Sequence, residues 1–475
     1  MGKKDSTGKL LALIREGKPM TFGQQLRLTV LLSMPAIVAQ FSSIAMQYID
    51  ASMVGSLGAN ASASIGLVST TTWLFSGLCG AVSTGFTVQV AHRIGAGDFD
   101  GARAVLRRSF LAVGVFSLLL ALSGIGISGV LPEWLGGDDE IQHDSSIYFL
   151  IYASFLPVLQ LNFLAGGMLR SSGNMRIPSM LGVLMCLLDV VFNYFLIFPS
   201  RELSVCGFSF FMPGAGLGVA GAAWGTGLAE LVTGLLMLLY LWNRSPELRL
   251  SGLHGSFRPT LSMLKKAVHI GLPMGIEHVA ICGAQIMTTV IVAPLGVFAI
   301  AANAFSITIE SLCYMPGYGI ADAATTLVGQ SLGAGRKQLV RRFANITVFT
   351  GMAVMGVMGT IMYVAAPQLI AVMTPVEEIR SLSVEVLRIE AFAEPMFGAA
   401  IIAYGVFVGA ANTMMPLLMN FFSIWAVRLS LAAMLAPSMG LKGVWIAMCV
   451  ELCFRGVIFL LRLHSEKWIK LKNAI

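Results

Sequence analysis

The sequence predicts an all-α polytopic membrane protein, with twelve transmembrane helices in two six-helix bundles related by a pseudo-twofold axis along the membrane normal. Composition is the first observation: of 475 residues, 56% are hydrophobic and 12% are charged, and the mean hydropathy is +0.80. A soluble protein carries about 25% charged residues. The second observation is the distribution of Lys and Arg among the loops, and the third is an internal repeat.

Twelve apolar runs are long enough to cross a bilayer, which takes about 20 residues of helix. Their length assigns them to transmembrane helices rather than to buried strands. The predicted spans are residues 28–54, 60–88, 107–131, 147–169, 178–198, 217–243, 266–292, 298–330, 343–366, 384–408, 414–436 and 441–461.

These spans divide the chain into five parts. Residues 28–243 form an N-terminal lobe, 266–461 form a C-terminal lobe, and 244–265 form a basic cytoplasmic linker between them. Residues 1–27 are polar and basic around a short run, LLALI, which is too brief for the apolar region of a signal peptide. We expect this segment to be amphipathic and to lie on the inner leaflet, and residues 462–475 to form a cytoplasmic tail.

Charge sets the orientation. Most of the 31 Lys and Arg residues lie on one side of the predicted membrane, in the N-terminus, the linker, the tail and the loops after even-numbered spans. Loops of the opposite side are acidic, as in GGDDEIQHD and PVEEI. The positive-inside rule therefore predicts that both termini are cytoplasmic, in a bacterial-type inner membrane. The net charge of +7 reflects this bias and does not indicate nucleic-acid binding.

The repeat relates the two halves by one offset. Gly95 recurs 238 residues later as Gly333. The same offset aligns five further pairs of glycines and prolines: Gly97 with Gly335, Pro35 with Pro273, Gly58 with Gly296, Pro157 with Pro395 and Pro178 with Pro416. The N-terminal half carries an extra loop, SRELSVCGFSFFMPGAG. Because each copy holds six spans, both copies have the same orientation, and two facing bundles suit alternating access by rigid-body rocking.

The Gly-Ala-Gly sequences that mark both copies have two interpretations. A phosphate-binding loop requires GxGxxG spacing after a strand, which neither copy has. Tight turns between the second and third span of each half are the interpretation that the repeat favours.

Motifs typical of enzymes and metal sites are absent from the sequence. It has no CxxC or HExxH pattern and no Cys/His spacing typical of a metal site. We therefore predict no enzymatic activity, no metal site and no cofactor.

Three motifs carry a resemblance to a known family: DASMVGSLGANA in the first span, MPGYGIADAATTLVGQSLGAGR around the eighth, and GAANTMMP after the tenth. Along essentially its whole length the chain resembles the multidrug and toxic compound extrusion (MATE) family. The resemblance implies two six-helix lobes that extrude bulky, often cationic organic compounds in exchange for protons or sodium ions. We expect the protein to act as a monomer in the lipid bilayer on small organic cations.

Carboxyl groups within the spans are candidates for ion coupling, because an ionised group at mid-bilayer costs at least about 2.5 kcal/mol. Glu451 is expected to be structural, since Arg455 lies one helical turn later. Outside the first two residues of any span, the spans hold nine acids: Asp50, Asp189, Glu230, Glu277, Glu310, Asp322, Glu390, Glu394 and Glu451.

The N-terminal lobe holds the predicted coupling site. The resemblance implies that Asp50 binds a proton or a cation and that Pro35 allows the first helix to bend. Asp189 and Asn193 share one helical face at i,i+4 spacing, although the family pattern has Asn first and Asp second. Thr226 and Glu230 form another i,i+4 pair and complete the predicted site. These groups could bind either a sodium ion or a proton.

A candidate second site lies in the C-terminal lobe. The seventh span has Glu277 and His278 soon after Pro273, and the tenth span has Glu390 and Glu394. Some branches of the resembled family use a seventh-span glutamate and a tenth-span aspartate in this lobe, a pattern that this chain does not fully match. His278 is either a proton relay or a histidine bonded to a helix carbonyl.

Two further functions compete with drug export. A lipid or lipid-linked oligosaccharide flippase of related fold would need cationic residues for the phosphate, whereas the nine acids of the spans are accompanied by three arginines, Arg388, Arg428 and Arg455. That balance favours a cationic cargo. A membrane-embedded enzyme would gather catalytic side chains at one interface, and no such grouping is present in the sequence.

Overall fold

The structure is a computed structural model that describes residues 6–205, 208–252 and 255–470. Parts of the predicted N-terminus, linker and tail therefore lie outside the described residues. The helices are α1 (Ser6–Arg15), α2 (Phe22–Gly55), α3 (Ala59–Gly95), α4 (Phe99–Ile127), α5 (Leu131–Trp134), α6 (Asp139–Ser171), α7 (Arg176–Ile197), α8 (Val219–Asn243), α9 (Leu261–Val292), α10 (Val297–Gly333), α11 (Lys337–Met373), α12 (Glu377–Glu390), α13 (Glu394–Gly409), α14 (Met414–Phe421), α15 (Leu429–Met439) and α16 (Leu441–His464).

The described helices make up twelve membrane spans when α12 and α13, bent by 59° at a short break, count as one. Between α14 and α15 the chain stays helical through a π-helical segment, Phe422–Arg428. The predicted all-α polytopic fold is confirmed. Most helices begin earlier than predicted: α2, for example, begins at Phe22 rather than at residue 28, and α9 begins at Leu261, inside the predicted linker.

The extra segment of the N-terminal half forms a β-hairpin between α7 and α8. Strands β1 (Pro199–Val205) and β2 (Phe208–Ala215) pair antiparallel. The hairpin lies at the end of the molecule opposite to the Gly-Ala-Gly turns, which is called the outer end below. The end that carries those turns is called the inner end and is the predicted cytoplasmic side.

The repeat is visible in the backbone. Pro35 and Pro273 both lie inside long helices, where a proline removes one backbone hydrogen bond and permits a kink. Positive φ angles recur at matching turn glycines, with 76° at Gly97 and 69° at Gly335. Only glycine adopts this conformation readily, so both Gly-Ala-Gly sequences form the predicted tight turns.

The two lobes contact each other closely at the inner end, where α3 crosses α10. A Cβ added to Gly95 would lie 2.0 Å from the Gln330 carbonyl oxygen. A Cβ added to Gly333 would lie 1.9 Å from the His92 carbonyl oxygen. Since Gly95 and Gly333 are related by the repeat, the crossing obeys the pseudo-twofold symmetry.

Two buried side chains add matching hydrogen bonds to this crossing. His92 donates through Nε2 to the Gly409 carbonyl oxygen at 2.8 Å. Gln330 donates through Nε2 to the Ser171 carbonyl oxygen, also at 2.8 Å. The offset of 238 residues relates His92 to Gln330 and Ser171 to Gly409. The inner end is therefore closed by one contact used twice.

Helix α1 corrects the expectation for the N-terminus. Leu11 and Ile14 are 3% and 0% exposed because they pack against both lobes, so this face does not rest on lipid. Arg15 forms an ion pair with Glu247 at 3.3 Å, and Arg336 donates to a backbone carbonyl of α1 at 3.0 Å. An amphipathic pattern does not distinguish a lipid surface from an apolar protein surface.

Candidate cation-coupling site

The N-terminal lobe brings three of the predicted residues into direct contact. Asn193 on α7 donates through Nδ2 to Asp50 Oδ1 at 2.9 Å and to Asp189 Oδ2 at 3.1 Å. Asp189 and Asn193 are 0% and 1% exposed, and Asp50 is partly buried. One amide group therefore bridges two carboxyl groups from different helices.

A close approach of α8 to α7 holds this bridge in place. A Cβ added to Gly225 would lie 1.9 Å from Asn193 Oδ1, so only glycine leaves room for the amide. Within the described part of the chain, Asn193 Oδ1 and Asp189 Oδ1 are buried without a hydrogen-bond partner. Both oxygens remain available to coordinate a cation, and the carboxyl oxygen of Asp189 can also bind a proton.

The two predicted residues of α8 flank the bridge. Thr226 lies beside Asp189, although its hydroxyl donates to the Ala222 carbonyl oxygen at 3.2 Å. Glu230 lies within electrostatic range of Asp189, and its backbone carbonyl accepts a hydrogen bond from Asn162 at 2.8 Å. The five predicted residues thus occupy one region, with Asp50, Asn193 and Asp189 at its centre.

The arrangement suits the exchange of a small cation. Two ionised carboxylates that contact the same amide group repel each other, and a proton or a metal cation between them relieves that repulsion. The carboxyl and amide oxygens are also suitable ligands for a hard cation.

The C-terminal lobe contains a buried ion triad. Glu451 on α16 binds Arg455 one turn later at 2.7 Å, which is the expected pair. It also binds Arg428 at 2.6 Å and accepts a hydrogen bond from Ser423. Arg428 and Ser423 both lie in the π-helical segment, a distortion that often occurs at functional sites. Glu451 is 0% exposed and paired with two arginines, an arrangement consistent with the expected structural role.

The other acids of this lobe are buried with fewer partners. Both carboxyl oxygens of Glu390 and of Glu394 lack a hydrogen-bond partner among the described residues. These residues flank the break between α12 and α13, and Glu310 on α10 lies within electrostatic range of both. Burying an unpaired carboxylate is costly, so protonation or a nearby cation must offset the charge.

Glu277 and His278 face different neighbours. Asn420 donates to Glu277 Oε1 at 2.5 Å, whereas the His278 ring lies edge-on to Trp73 of α3 at 5.4 Å. Nδ1 of His278 is buried without a partner in the described residues, so the predicted carbonyl bond does not form there. The structure does not join the four predicted residues of the second site into one cluster.

Sequence reasoning missed two polar partners of these acids and the position of a third group, Glu310. Asn420 and Ser423 are polar residues in an apolar span, which could have marked them as candidates. Glu310 was recognised as an intramembrane acid, but nothing in its local sequence places it beside Glu390 and Glu394.

A family model described as MatE matches residues 35–195 and 273–434. The two matched segments begin at Pro35 and Pro273, which are related by the repeat. Together they cover more than half of the chain.

Relatives of known name are similar along most of their length. A protein of Thermotoga maritima named "Probable multidrug resistance protein NorM" is 28% identical over 444 residues, with 92% of each chain covered. The "Multidrug resistance protein PmpM" of Pseudomonas aeruginosa is 25% identical over 455 residues, with 92% of this chain and 91% of the relative covered.

The fold matches solved structures. An outward-facing multidrug resistance MATE family transporter of the MOP superfamily superimposes with a TM-score of 0.85 and 20% identity, over 97% of this chain and 99% of that chain. This likeness supports the two-lobe helical architecture.

Proposed function

The chain belongs to the MatE family of transporters, and on that premise we propose that it is an antiporter that exports amphipathic, mostly cationic organic compounds by alternating access. Membership confirms the family resemblance and the prediction that the chain is not an enzyme. The names of the relatives support multidrug efflux as the transport activity.

The bridge of Asp50, Asn193 and Asp189 carries the proposal for coupling. We propose a proton as the coupling ion and sodium as the alternative. A proton held between the two carboxyl groups removes one of their two negative charges, and its release restores the charge that attracts a cationic cargo. Rocking of the lobes would then expose the loaded and unloaded site to opposite sides of the membrane.

The intramembrane arginines support a cationic cargo over the phosphate group of a lipid-linked oligosaccharide. Arg428 and Arg455 are both occupied by Glu451. Arg388 lies over the Tyr363 ring at 5.2 Å. None of these three arginines is left without a partner in the described structure, so a flippase remains the second candidate.

Orientation and assembly belong to the same proposal. The excess of Lys and Arg at the inner end supports an inner, cytoplasmic membrane with both termini cytoplasmic. We propose that the lobes of one monomer, embedded in the bilayer, enclose the transport pathway. Cysteine accessibility from the two sides of sealed vesicles tests the orientation.

The proposal is tested in proteoliposomes loaded with a fluorescent organic cation. A proton gradient and a sodium gradient are imposed separately on the wild type, on Asp50→Asn and on the control Asp139→Asn, whose side chain is exposed at the start of α6. We expect the proton gradient to drive transport in the wild type and in the control, and Asp50→Asn to abolish it. Transport driven only by the sodium gradient would identify sodium, instead of the proton, as the coupling ion. Undiminished transport by Asp50→Asn removes this site from the mechanism.

A further inference from the structure

A basic pocket of about 430 Å³ lies at the inner end of the molecule, away from the coupling site. Both lobes line it: α3 and α4 from the N-terminal lobe, and α9 from the C-terminal lobe. Its charged lining residues are Arg93, Arg108, Lys265 and Lys266, and His92 and His269 also line it. Among the described residues that line the pocket, none is an aspartate or a glutamate.

The positive charge in this pocket is largely uncompensated. Arg93 pairs with Asp98 at 2.6 Å. Arg108, Lys265 and Lys266 have no ion-pair partner within the described residues. Nε of Arg108 is also buried there without a hydrogen-bond acceptor. Like charges held together repel, and an anion with several acceptor oxygens would relieve the repulsion and satisfy the donor.

An apolar surface continues from the pocket along both flanking helices. On α9, Val268 and Leu272 follow Lys265 at i,i+3 and i,i+7 on one face, and both are exposed. On α4, Leu111 stands in the same relation to Arg108 and is 45% exposed. A phosphate group above two apolar strips matches the shape of a phospholipid, with its headgroup in the pocket and its acyl chains along the helices.

We propose that this pocket binds the phosphate-bearing headgroup of an anionic phospholipid. Basic pockets between transmembrane helices on the cytoplasmic side are suited to such headgroups. A free phosphate ion shares the headgroup chemistry, but it has no apolar part to contact the surface that adjoins the pocket. The lipid is therefore the source to which the proposal commits, and it does not depend on the identity of the coupling ion.

The test is thermal unfolding of the full-length protein in detergent micelles that contain phosphatidylglycerol or phosphatidylcholine. A ligand that binds the folded state raises the Tm. We expect phosphatidylglycerol to raise the Tm of the wild type more than phosphatidylcholine does. The double variant Arg108→Gln/Lys266→Gln should lose this difference. The control Arg103→Gln, on the same helix but paired with Asp100 and outside the pocket, should keep it.

A second variant keeps the test valid if the double variant misfolds. Lys265 is exposed at the rim of the pocket, so Lys265→Glu should fold normally and still reduce the response to phosphatidylglycerol. A third arm adds inorganic pyrophosphate to phosphatidylcholine micelles, where we expect no rise in Tm.

Three results would overturn the proposal. The first is a wild type that responds equally to both lipids. The second is a full phosphatidylglycerol response in both pocket variants. The third is a rise in Tm with pyrophosphate and none with phosphatidylglycerol, which would assign the pocket to a soluble anion.

Discussion

The two lobes share one backbone plan but differ in their buried polar groups. In the N-terminal lobe, Tyr152 donates to the Thr72 carbonyl oxygen at 2.7 Å. The repeat places Glu390 and Glu310 at the matching positions of the C-terminal lobe. In the reverse direction, the counterpart of Asp50 is Thr288. Acids therefore occupy different places in the two copies of the same fold.

The difference separates scaffold from chemistry. Contacts at the inner end appear twice, as the paired crossing of Gly95 and Gly333 shows. Carboxyl groups follow no such symmetry: an amide bridges two acids in one lobe, and two arginines neutralise Glu451 in the other. We infer that the repeat supplies the motion of both lobes, whereas ion coupling is concentrated in the N-terminal lobe.

Loss of transport is the largest expected effect. It should follow substitution of an acid in the N-terminal lobe and not of an acid in the C-terminal lobe. Asp189→Asn should reduce proton-driven transport to background, because it removes one of the two carboxyl groups that share the Asn193 amide. Glu277→Gln, in the C-terminal lobe, should leave most of the transport rate. Initial rates of efflux in proteoliposomes measure both. Equal loss in the two variants would show that both lobes carry coupling sites.

Stability should depend on the ion triad far more than on an exposed ion pair of the same lobe. Glu451→Gln leaves two partly buried arginines without their counter-ion, which should lower the free energy of unfolding by about 3–5 kcal/mol. Glu385→Gln, which breaks an exposed pair with Lys442, should cost at most about 1 kcal/mol. Denaturant titration in micelles compares the two variants. Similar losses would contradict a structural role for the triad.

The helices and the repeat could be predicted because both leave local marks in the sequence, such as apolar runs and matching glycines. The contact between Asn193 and Asp50 could not, because the two residues are separated by 143 positions and meet only when α7 packs against α2. The break before Glu394 and the π-helical segment depend on packing in the same way. Burial of Leu11 was missed because an apolar face has the same pattern against lipid and protein.

Gly225, which packs against Asn193 at the coupling site, allows a more specific test of the N-terminal lobe. Gly225→Ala should displace the Asn193 amide and cost about 1–3 kcal/mol of stability through overpacking. Transport should fall with it, because the bridge between the carboxyl groups is disturbed. Gly126→Ala in α4 is the matched control, since its Cβ would have no neighbour within 4 Å. Normal transport by Gly225→Ala would show that the bridge is dispensable.

The smallest effect concerns the paired contacts of the inner end. His92→Ala and Gln330→Ala each remove one hydrogen bond to a carbonyl oxygen, which should cost about 1 kcal/mol in either lobe. Thermal unfolding of the two variants should give similar shifts. A large effect at only one position would show that the inner end is closed asymmetrically.

Proton release on cargo binding tests the assignment of coupling to the N-terminal lobe most directly. Purified protein in a weakly buffered solution with a pH indicator is mixed with a saturating organic cation, and the protons released per protein are counted. The account predicts release by the wild type and by Glu277→Gln, and none by Asp50→Asn. Release by Asp50→Asn equal to that of the wild type would contradict it.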